Sequence, residues 1–149
     1  MMTIEETTLS EEVLEELILM SIDWEKEDSC HGYRHNQRED IEGNRIFLAK
    51  DEDEILGYLF GHEEIQEKAS SVIEEGKKCF EVMEIYVKPQ YRDKGIGRKL
   101  FEYMEGNVDA DYLTLSTATK DYRSILRFYI EHLGMDFWSA RLFKKVRSQ

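Results

Sequence analysis

Two glycines and an arginine, in the pattern Arg92-x-x-Gly95-x-Gly97, are the residues whose types and spacing most clearly suggest chemistry. Glycine lets the backbone turn sharply and approach a ligand without interference from a Cβ atom. The unpaired N–H groups and the positive dipole end at the start of a helix bind anions. Four basic side chains surround the turn: Arg92, Lys94, Arg98 and Lys99. The segment therefore predicts a cradle for a pyrophosphate group.

The turn must be held between a strand and a helix. Phe80–Val87 alternates as a strand does, and Pro89 ends it because proline cannot donate to a strand ladder. Gly97–Asn107 follows as a predicted amphipathic helix. The segment is not a nucleotide-binding P-loop, since the four-residue spacer and the Gly-Lys-Ser/Thr ending of that motif are missing.

The stretch Glu84–Leu100 resembles motif A of the GNAT superfamily of N-acetyltransferases, whose Gln/Arg-x-x-Gly-x-Gly/Ala loop binds the pyrophosphate of acetyl-CoA. Downstream, Arg127–Tyr129 leading to Leu133–Met135 resembles the family's second signature, an aromatic-Tyr helix that ends in Gly-Phe. This sequence departs from that signature in three ways. Met135 replaces the phenylalanine, and Tyr129 stands one residue farther from the glycine than in many members. The asparagine frequent in this helix is not obvious either, and Tyr122 or Ser124 stands near its place.

The resemblance implies an α/β (α+β) fold in a single N-acetyltransferase domain spanning residues 1–149. Its centre would be a mixed, mostly antiparallel sheet flanked by helices, with a splayed strand pair forming the cofactor cleft. Acetyl-CoA would be the co-substrate. The residues implied to bind it belong to the strand end and the loop: Ile85, Tyr86, Val87, Arg92, Asp93, Lys94, Gly95, Ile96, Gly97, Arg98 and Lys99. The backbone near residues 85–87 would stabilise the thioester carbonyl as it becomes an oxyanion.

Acetyl transfer to an amine needs a group that accepts the amine proton and a group that protonates the departing thiolate. The resemblance favours Tyr129 for the second role, since a phenol of pKa about 10 is protonated at neutral pH. For the base we favour Glu84, predicted to share a strand face with Val82 and Tyr86. Glu81, expected on the opposite face, is the competitor. Many members use no dedicated side-chain base, so this alternative stays open.

The charge of the chain bears on its partners. The net charge is −12, which argues against nucleic acid, since phosphate binding needs a basic patch. Residues 1–80 carry 22 acidic and 8 basic residues, which favours a cationic small-molecule or peptide amine as the acceptor. No apolar run is long enough to span a bilayer and no secretory signal is visible, so we expect a cytoplasmic protein without a membrane partner. A homodimer is left open.

Other side chains suggest further sites. Trp24 and Tyr33, with the acidic residues between them, are candidates to line an acceptor pocket. His31 and His35 are four residues apart and Cys30 adjoins them, a spacing that could bind metal on a helix. No HExxH pattern or further ligand is evident, so no metal is expected. Cys30 and Cys79 are expected to be free thiols.

The remaining elements follow from periodicity and turn signals. A short strand and then a helix capped by Ser10 open the chain, and two strands that form a hairpin lie before the charged connection. In chain order the predicted segments are a strand at 2–9, a helix at 11–20, a helix or loop at 21–42, strands at 45–50 and 55–62, a partly helical connection at 63–78, a strand at 112–117, a helix at 121–133 closed by Gly134, and a strand or hairpin at 137–146.

The family resemblance does not by itself establish catalysis. A non-catalytic acyl-CoA-binding module that acts through a protein partner would keep the loop and need neither Tyr129 nor a base. A transferase for a longer acyl chain is a third reading of the same motif.

Overall fold

One five-stranded sheet with the order β1-β2-β3-β4-β5 forms the centre of the computed structural model, which describes residues 1–147. The first four strands are antiparallel neighbours, and β5 lies parallel to β4. The predicted mixed, mostly antiparallel sheet is therefore confirmed. The strands are β1 Met2–Thr7, β2 Arg45–Asp51, β3 Glu54–Ile65, β4 Lys78–Val87 and β5 Tyr112–Thr114.

Helices flank the sheet. They are α1 Glu11–Glu27, α2 Arg38–Ile41, α3 Ile96–Asn107 and α4 Tyr122–Arg127, with a 3-10 turn at Pro89–Tyr91 and a π-helical turn at Phe128–His132. Ser10 caps α1 as predicted, because its hydroxyl accepts the Val13 N–H at 3.2 Å. The helix ends at Asp28, whose left-handed φ of 53° breaks the helical path. No helix within residues 1–147 is long and apolar enough to cross a membrane.

Two apolar clusters cover the two faces of the sheet. On one face α1 and α2 bury Leu17 and Ile41 against the side chains of Leu48, Tyr58 and Phe60. The residues packed on the other face, against α3, are Phe47, Leu59, Phe80, Val82, Leu100, Phe101 and Met104. Because both faces are covered, the inner strands β2 and β3 contain nearly continuous buried runs, at residues 46–49 and 55–61.

Strands β4 and β5 diverge soon after they meet. Their ladder is confined to Cys79–Glu81 of β4 paired with β5. Beyond Glu81, the backbone of β4 on this edge continues to Val87 without a described strand partner. The edge of β4 from residue 82 to residue 87 is therefore open beside the segment that leads into the turn before α3, and the predicted cofactor cleft at this edge stays a prediction.

Three predictions about local structure need correction. α1 continues through Glu27, so only part of residues 21–42 is irregular. The connection predicted to be partly helical contains no helix. β3 extends to Ile65 and β4 begins at Lys78, and residues 66–77 between them form an irregular loop. The strand predicted at 137–146 is wrong. These residues have no regular structure, and Leu142 and Phe143 are 95% and 80% exposed. A strand needs a partner ladder, and the three-residue β5 gives such a segment little edge to pair with.

Candidate active site

The turn between β4 and α3 contains two left-handed residues. Asp93 has a φ of 63° and Gly95 a φ of 81°. A Cβ atom on Gly95 would meet no heavy atom within 4 Å, so this position needs glycine for its dihedral angle rather than for space. The same open space leaves the turn accessible to a ligand.

The first N–H groups of α3 are available at this turn. Within the described chain, Lys99 is the first residue of the helix whose N–H has a backbone acceptor, the Gly95 carbonyl at 3.0 Å. The N–H groups of Ile96, Gly97 and Arg98 precede it and are left for a ligand or water. They add to the positive end of the α3 dipole, so the turn can accept an anion.

The Arg92 side chain ties the turn to the end of α1. Its Nε donates to the Val87 carbonyl at 2.8 Å, and its two terminal nitrogens donate to the Glu27 carboxylate at 2.8 and 2.9 Å. Burial raises the pKa of Glu27, but the hydrogen bonds from Arg92 and Tyr86 outweigh it and leave this pKa below its usual value. The guanidinium of Arg92 is thus engaged with Glu27, and its predicted contact with the cofactor stays a prediction.

The other predicted binding residues surround the turn in different ways. The Lys94 ammonium lies 5.7 Å from the centroid of the Tyr91 ring, and Arg98 pairs with Glu102 at 3.5 Å. Asp93 and Lys99 are exposed. The side chains of Ile85, Val87 and Ile96 pack in the α3 cluster, so these three residues can offer only backbone groups to a ligand.

A stacked column of aromatic rings runs from Arg92 towards the middle of the sheet. Arg92 lies 5.3 Å above the Tyr86 ring, Tyr86 stacks on Trp24 at 5.3 Å, and Trp24 stacks on Tyr33 at 4.2 Å. The Tyr33 hydroxyl then donates to Glu84 at 3.3 Å. The two predicted acceptor-pocket residues, Trp24 and Tyr33, therefore join the anion-accepting turn to the predicted base.

Glu84 lies at the centre of a buried polar network. Its Oε2 atom accepts hydrogen bonds from the Tyr58 hydroxyl at 2.8 Å, the Asn36 amide at 2.9 Å and the Tyr33 hydroxyl. Burial raises the pKa of Glu84, and these three donors only partly offset that effect. Among residues 1–147, no hydrogen bond reaches the second oxygen, Oε1. The carboxylate is thus held in place by one oxygen and can accept a proton on the other.

A β-bulge at Met83 changes the strand faces expected from alternation. Phe60 pairs with Glu84, but the next residue of β3, Gly61, pairs with Val82, so β4 holds one extra residue. Val82 therefore packs on the α3 face, and Glu84 faces α1 together with Tyr86. The prediction that Val82 shares the face of Glu84 is wrong for this reason.

The same bulge places Glu81 on the α1 face, so the expectation that it lies opposite Glu84 is also wrong. Glu81 pairs across the strands with His62, whose Nε2 lies 3.8 Å from the Glu81 carboxylate. It makes no hydrogen bond to the Glu84 network within the described residues. Which of the two carboxylates acts as the base stays a prediction. Their surroundings differ, because hydroxyl and amide donors hold Glu84 and a histidine faces Glu81.

Tyr129 lies in the π-helical turn that follows α4. The Leu133 N–H donates to the Phe128 carbonyl at 3.0 Å, a bond that spans five residues instead of four. This wider turn accommodates the extra residue between Tyr129 and Gly134. Burial, with a smaller effect of the nearby Cys30, raises the pKa of Tyr129 to about 12. No described residue hydrogen bonds with its hydroxyl, which leaves the group free to donate.

Phe128 links this turn to the anion-accepting turn. Its ring would lie 3.6 Å from a Cβ atom added to Gly97. The element that carries Tyr129 is thus packed near the start of α3. Of the two substitutes considered for the missing asparagine, Tyr122 is exposed, and Ser124 is exposed as well.

The predicted metal-ligand spacing at residues 30–35 lies outside a helix. His35 instead hydrogen bonds through Nδ1 with Glu25 at 2.8 Å, and Cys30 forms an isolated bridge with Thr119. His31 packs edge-on to Phe143 at 5.4 Å. Both cysteines are free, as expected.

The acetyltransferase (GNAT) family model matches residues 11–135, a range that includes the turn, Glu84 and Tyr129. The chain belongs to the GNAT acetyltransferase family. The resemblance seen in the sequence is thereby confirmed, and the GNAT match extends it back to the start of α1. Comparison with curated protein sequences returns no match.

Solved structures share this GNAT fold along almost the whole chain. A transcriptional regulator from Bacillus halodurans C-125 is 21% identical, with a TM-score of 0.71 over 97% of this chain and 99% of that one. An aminoglycoside acetyltransferase from an uncultured soil metagenomic sample is 16% identical, with a TM-score of 0.67 over 99% of both chains. A ribosomal-protein-alanine N-acetyltransferase from Brucella melitensis biovar Abortus 2308 is 14% identical, with a TM-score of 0.68 over 97% of this chain and 99% of that one.

Sequence reasoning about this GNAT chain missed three residues of the site. Asn36 and Tyr58 hold the Glu84 carboxylate, and Glu27 holds Arg92. They come from segments distant in sequence, so no local spacing connects them. A usable signal exists only for Tyr58, which lies on the strand next to Glu84 and could be paired with it once the hairpin register is known.

Proposed function

We propose that this protein transfers an acetyl group from acetyl-CoA to a primary amine, by direct attack of the amine on the thioester. The observation that carries the proposal is the arrangement along β4. This strand carries a partly buried carboxylate with one free oxygen, Glu84, and ends three residues later at the turn that can accept an anion.

The turn fits the pyrophosphate of acetyl-CoA. It offers the N–H groups of Ile96, Gly97 and Arg98, and no side chain occupies the space above Gly95. Backbone donors and a helix dipole suit a doubly charged pyrophosphate. The open edge of β4 beyond its short ladder with β5 would then receive the rest of the molecule. In this position the free backbone edge of β4 near residues 85–87 can donate to the thioester oxygen as negative charge develops there.

The reaction needs one proton to leave the amine and one to reach the sulfur. The amine nitrogen forms a bond to the carbonyl carbon, and the carbon–sulfur bond breaks. Glu84 takes the amine proton on its free oxygen, directly or through a water molecule. Its raised pKa makes it a stronger proton acceptor than an exposed glutamate.

Tyr129 serves the departing sulfur. With a pKa of about 12 it keeps its proton throughout the physiological range. Complete transfer to a thiolate of pKa about 8.5 is unfavourable by about 5 kcal/mol, since each pKa unit is worth about 1.4 kcal/mol. The phenol therefore acts chiefly as a hydrogen-bond donor that stabilises the developing thiolate, and solvent water supplies the proton to the sulfur as the product leaves.

We propose a cationic acceptor. The first 80 residues, which include α1 and α2, carry a large excess of acidic groups. The Tyr33 ring, which lies at the end of the aromatic column and contacts Glu84, adds an electron-rich surface that attracts cations. Two structures with this fold are named as acetyltransferases for an aminoglycoside and for a ribosomal protein, both of which offer amines.

An acceptor screen tests the proposal. Release of free CoA thiol from acetyl-CoA is measured with a polyamine, an aminoglycoside, lysine and N-terminal peptides, and a neutral amine. Turnover is expected with the cationic amines. Preference for the neutral amine would contradict the acceptor class. Tyr129→Phe is expected to bind CoA as the wild type does and to turn over more slowly. If the wild type binds CoA but releases no thiol with any amine, the non-catalytic binding module replaces this proposal.

A further inference from the structure

A histidine and two glutamates meet on the α1 face of the β3–β4 hairpin, outside the Glu84 network. His62 and Glu64 are two residues apart on β3, so their side chains share one face. Glu81 stands directly across from His62 on β4. One ligand atom from each of the three lies within 4.8 Å of the other two. A strand pair with this spacing presents three metal-ligand groups at the corners of a triangle.

The orientation of the His62 ring is fixed by a neighbour. Asn44 donates its amide N–H groups to the carbonyls of Asp40 at 3.0 Å and Ile41 at 2.9 Å. Its oxygen is therefore the atom that meets Nδ1 of His62, at 3.3 Å. An oxygen can only accept, so Nδ1 carries the proton and a neutral His62 has its lone pair on Nε2. That lone pair lies 3.8 Å from the Glu81 carboxylate.

This arrangement places three electron-pair donors against one another without a compensating cation. Within residues 1–147, neither Glu64 nor Glu81 forms an ion pair with a lysine or an arginine. His62 and Glu81 are each 36% exposed, so an ion from solvent can reach them. Two carboxylates and an imidazole placed in this way can each offer a lone pair to one cation.

We propose that His62, Glu64 and Glu81 form a site for a divalent transition-metal ion, for which Zn²⁺ is the probe. Imidazole suits zinc better than magnesium or calcium, and three protein ligands leave a fourth position for water. Donors bound at about 2.1 Å in a tetrahedron lie about 3.4 Å apart. The exposed Glu64 side chain has only to rotate to complete this geometry. Asn44 would hold the ligating ring from outside, as second-shell partners do in metal sites.

The site is separate from the proposed acetyl transfer and does not depend on it. The pair His62 and Glu81 lies two β3 residues from the pair Phe60 and Glu84, about 7 Å along the strand. An ion there would clamp β3 to β4 beside the bulge. Binding can therefore be measured on the chain alone, without acetyl-CoA or an acceptor.

Calorimetric titration of the EDTA-treated, desalted protein with ZnCl₂ tests the site. One ion per chain is expected to bind. In a thermal unfolding experiment, free Zn²⁺ at a hundred times its Kd should raise Tm by about 5–10 °C. Glu81→Gln keeps the side-chain size and should abolish this binding, as should His62→Ala. Asn44→Ala should weaken it by about 10- to 100-fold.

Two matched controls locate the ion. Glu63→Gln removes a carboxylate from the opposite face of the same strand, and His31→Ala removes a histidine that adjoins Cys30. Both should bind Zn²⁺ as the wild type does. The proposal is overturned if Glu81→Gln, folded by circular dichroism, keeps wild-type affinity, or if His31→Ala is the variant that loses the ion.

Discussion

Glu84→Gln separates a catalytic carboxylate from a structural one. The substitution keeps the shape of the side chain and removes its ability to take a proton. The glutamine oxygen can replace Oε2 as acceptor for Tyr58 and Asn36, the two closest donors at 2.8 and 2.9 Å. The weaker contact, from Tyr33 at 3.3 Å, is the one at risk. The structural cost is therefore about 1 kcal/mol, the value of one hydrogen bond.

The catalytic cost is expected to be much larger. General-base catalysis contributes about 10²- to 10⁴-fold, so kcat of Glu84→Gln should fall by that factor, or about 2.7–5.5 kcal/mol in the barrier. The wild-type rate should also fall as pH drops through the raised pKa of Glu84, because a protonated carboxyl cannot accept the amine proton. The variant should lack this step when the same amine is used.

The assay is thiol release under saturating acetyl-CoA and in the presence of EDTA, with Glu81→Gln measured in parallel. Glu81 has the same side chain on the same face, so a larger loss in Glu81→Gln would make it the base instead. If Glu84→Gln stays within threefold of the wild type, no side-chain base acts here and Glu84 is structural.

The stability of the two proteins gives an independent check on Glu84. Its folded-state pKa is raised, so the native protein binds more protons than the unfolded chain between pH 4.5 and that pKa. Wild-type stability should therefore fall as pH rises through this window, and the fall should be smaller in Glu84→Gln. Urea unfolding at several pH values measures the difference. An equal slope in both proteins would show that Glu84 titrates normally.

Three further substitutions test the elements around the site. Gly95→Ala forces a left-handed alanine at a φ of 81° and should cost about 1–2 kcal/mol of unfolding free energy, with weaker CoA binding measured by calorimetry. Trp24→Leu removes two ring stacks and should cost about 1–3 kcal/mol, while lowering kcat more than it raises KM for acetyl-CoA. Arg92→Ala should lower Tm at pH 7. The pKa of Glu27 lies below 4.5 in the folded state, so this difference should shrink as pH falls through that pKa. A Tm difference that does not shrink as the pH is lowered would count against the ion pair.

The sequence was informative where local rules decide the structure. The left-handed turn needs Gly95, the Ser10 cap starts α1, and Pro89 follows the end of β4, so these features could be predicted from residue types alone. The tail at 137–146 shows the limit of the same approach. Its apolar residues favour a strand, but a strand forms only against a partner, which lies elsewhere in the chain.

The environment of Glu84 could not be predicted for a different reason. Strict alternation puts Glu84 with Val82 and Glu81 on the other side, and the extra residue at Met83 reverses that assignment. Nothing in the sequence marks a bulge at this methionine. The contacts of Glu84 with its donors and of Glu81 with His62 depend on the same register. They could therefore be identified only once the pairing of β3 with β4 was known.

The bulge at Met83 changes which residues of β4 face each side of the sheet. Before the bulge, Phe80 and Val82 pack in the apolar layer under α3. After it, Glu84 and Tyr86 lie in the layer under α1. In a strand without the extra residue, strict alternation would place Glu84 on the same face as Phe80 and Val82. Its carboxylate would then point away from the hydroxyl groups of Tyr58 and Tyr33 that now donate to it. One inserted residue thus lets a single strand supply both the apolar support of α3 and a polar group that can exchange protons.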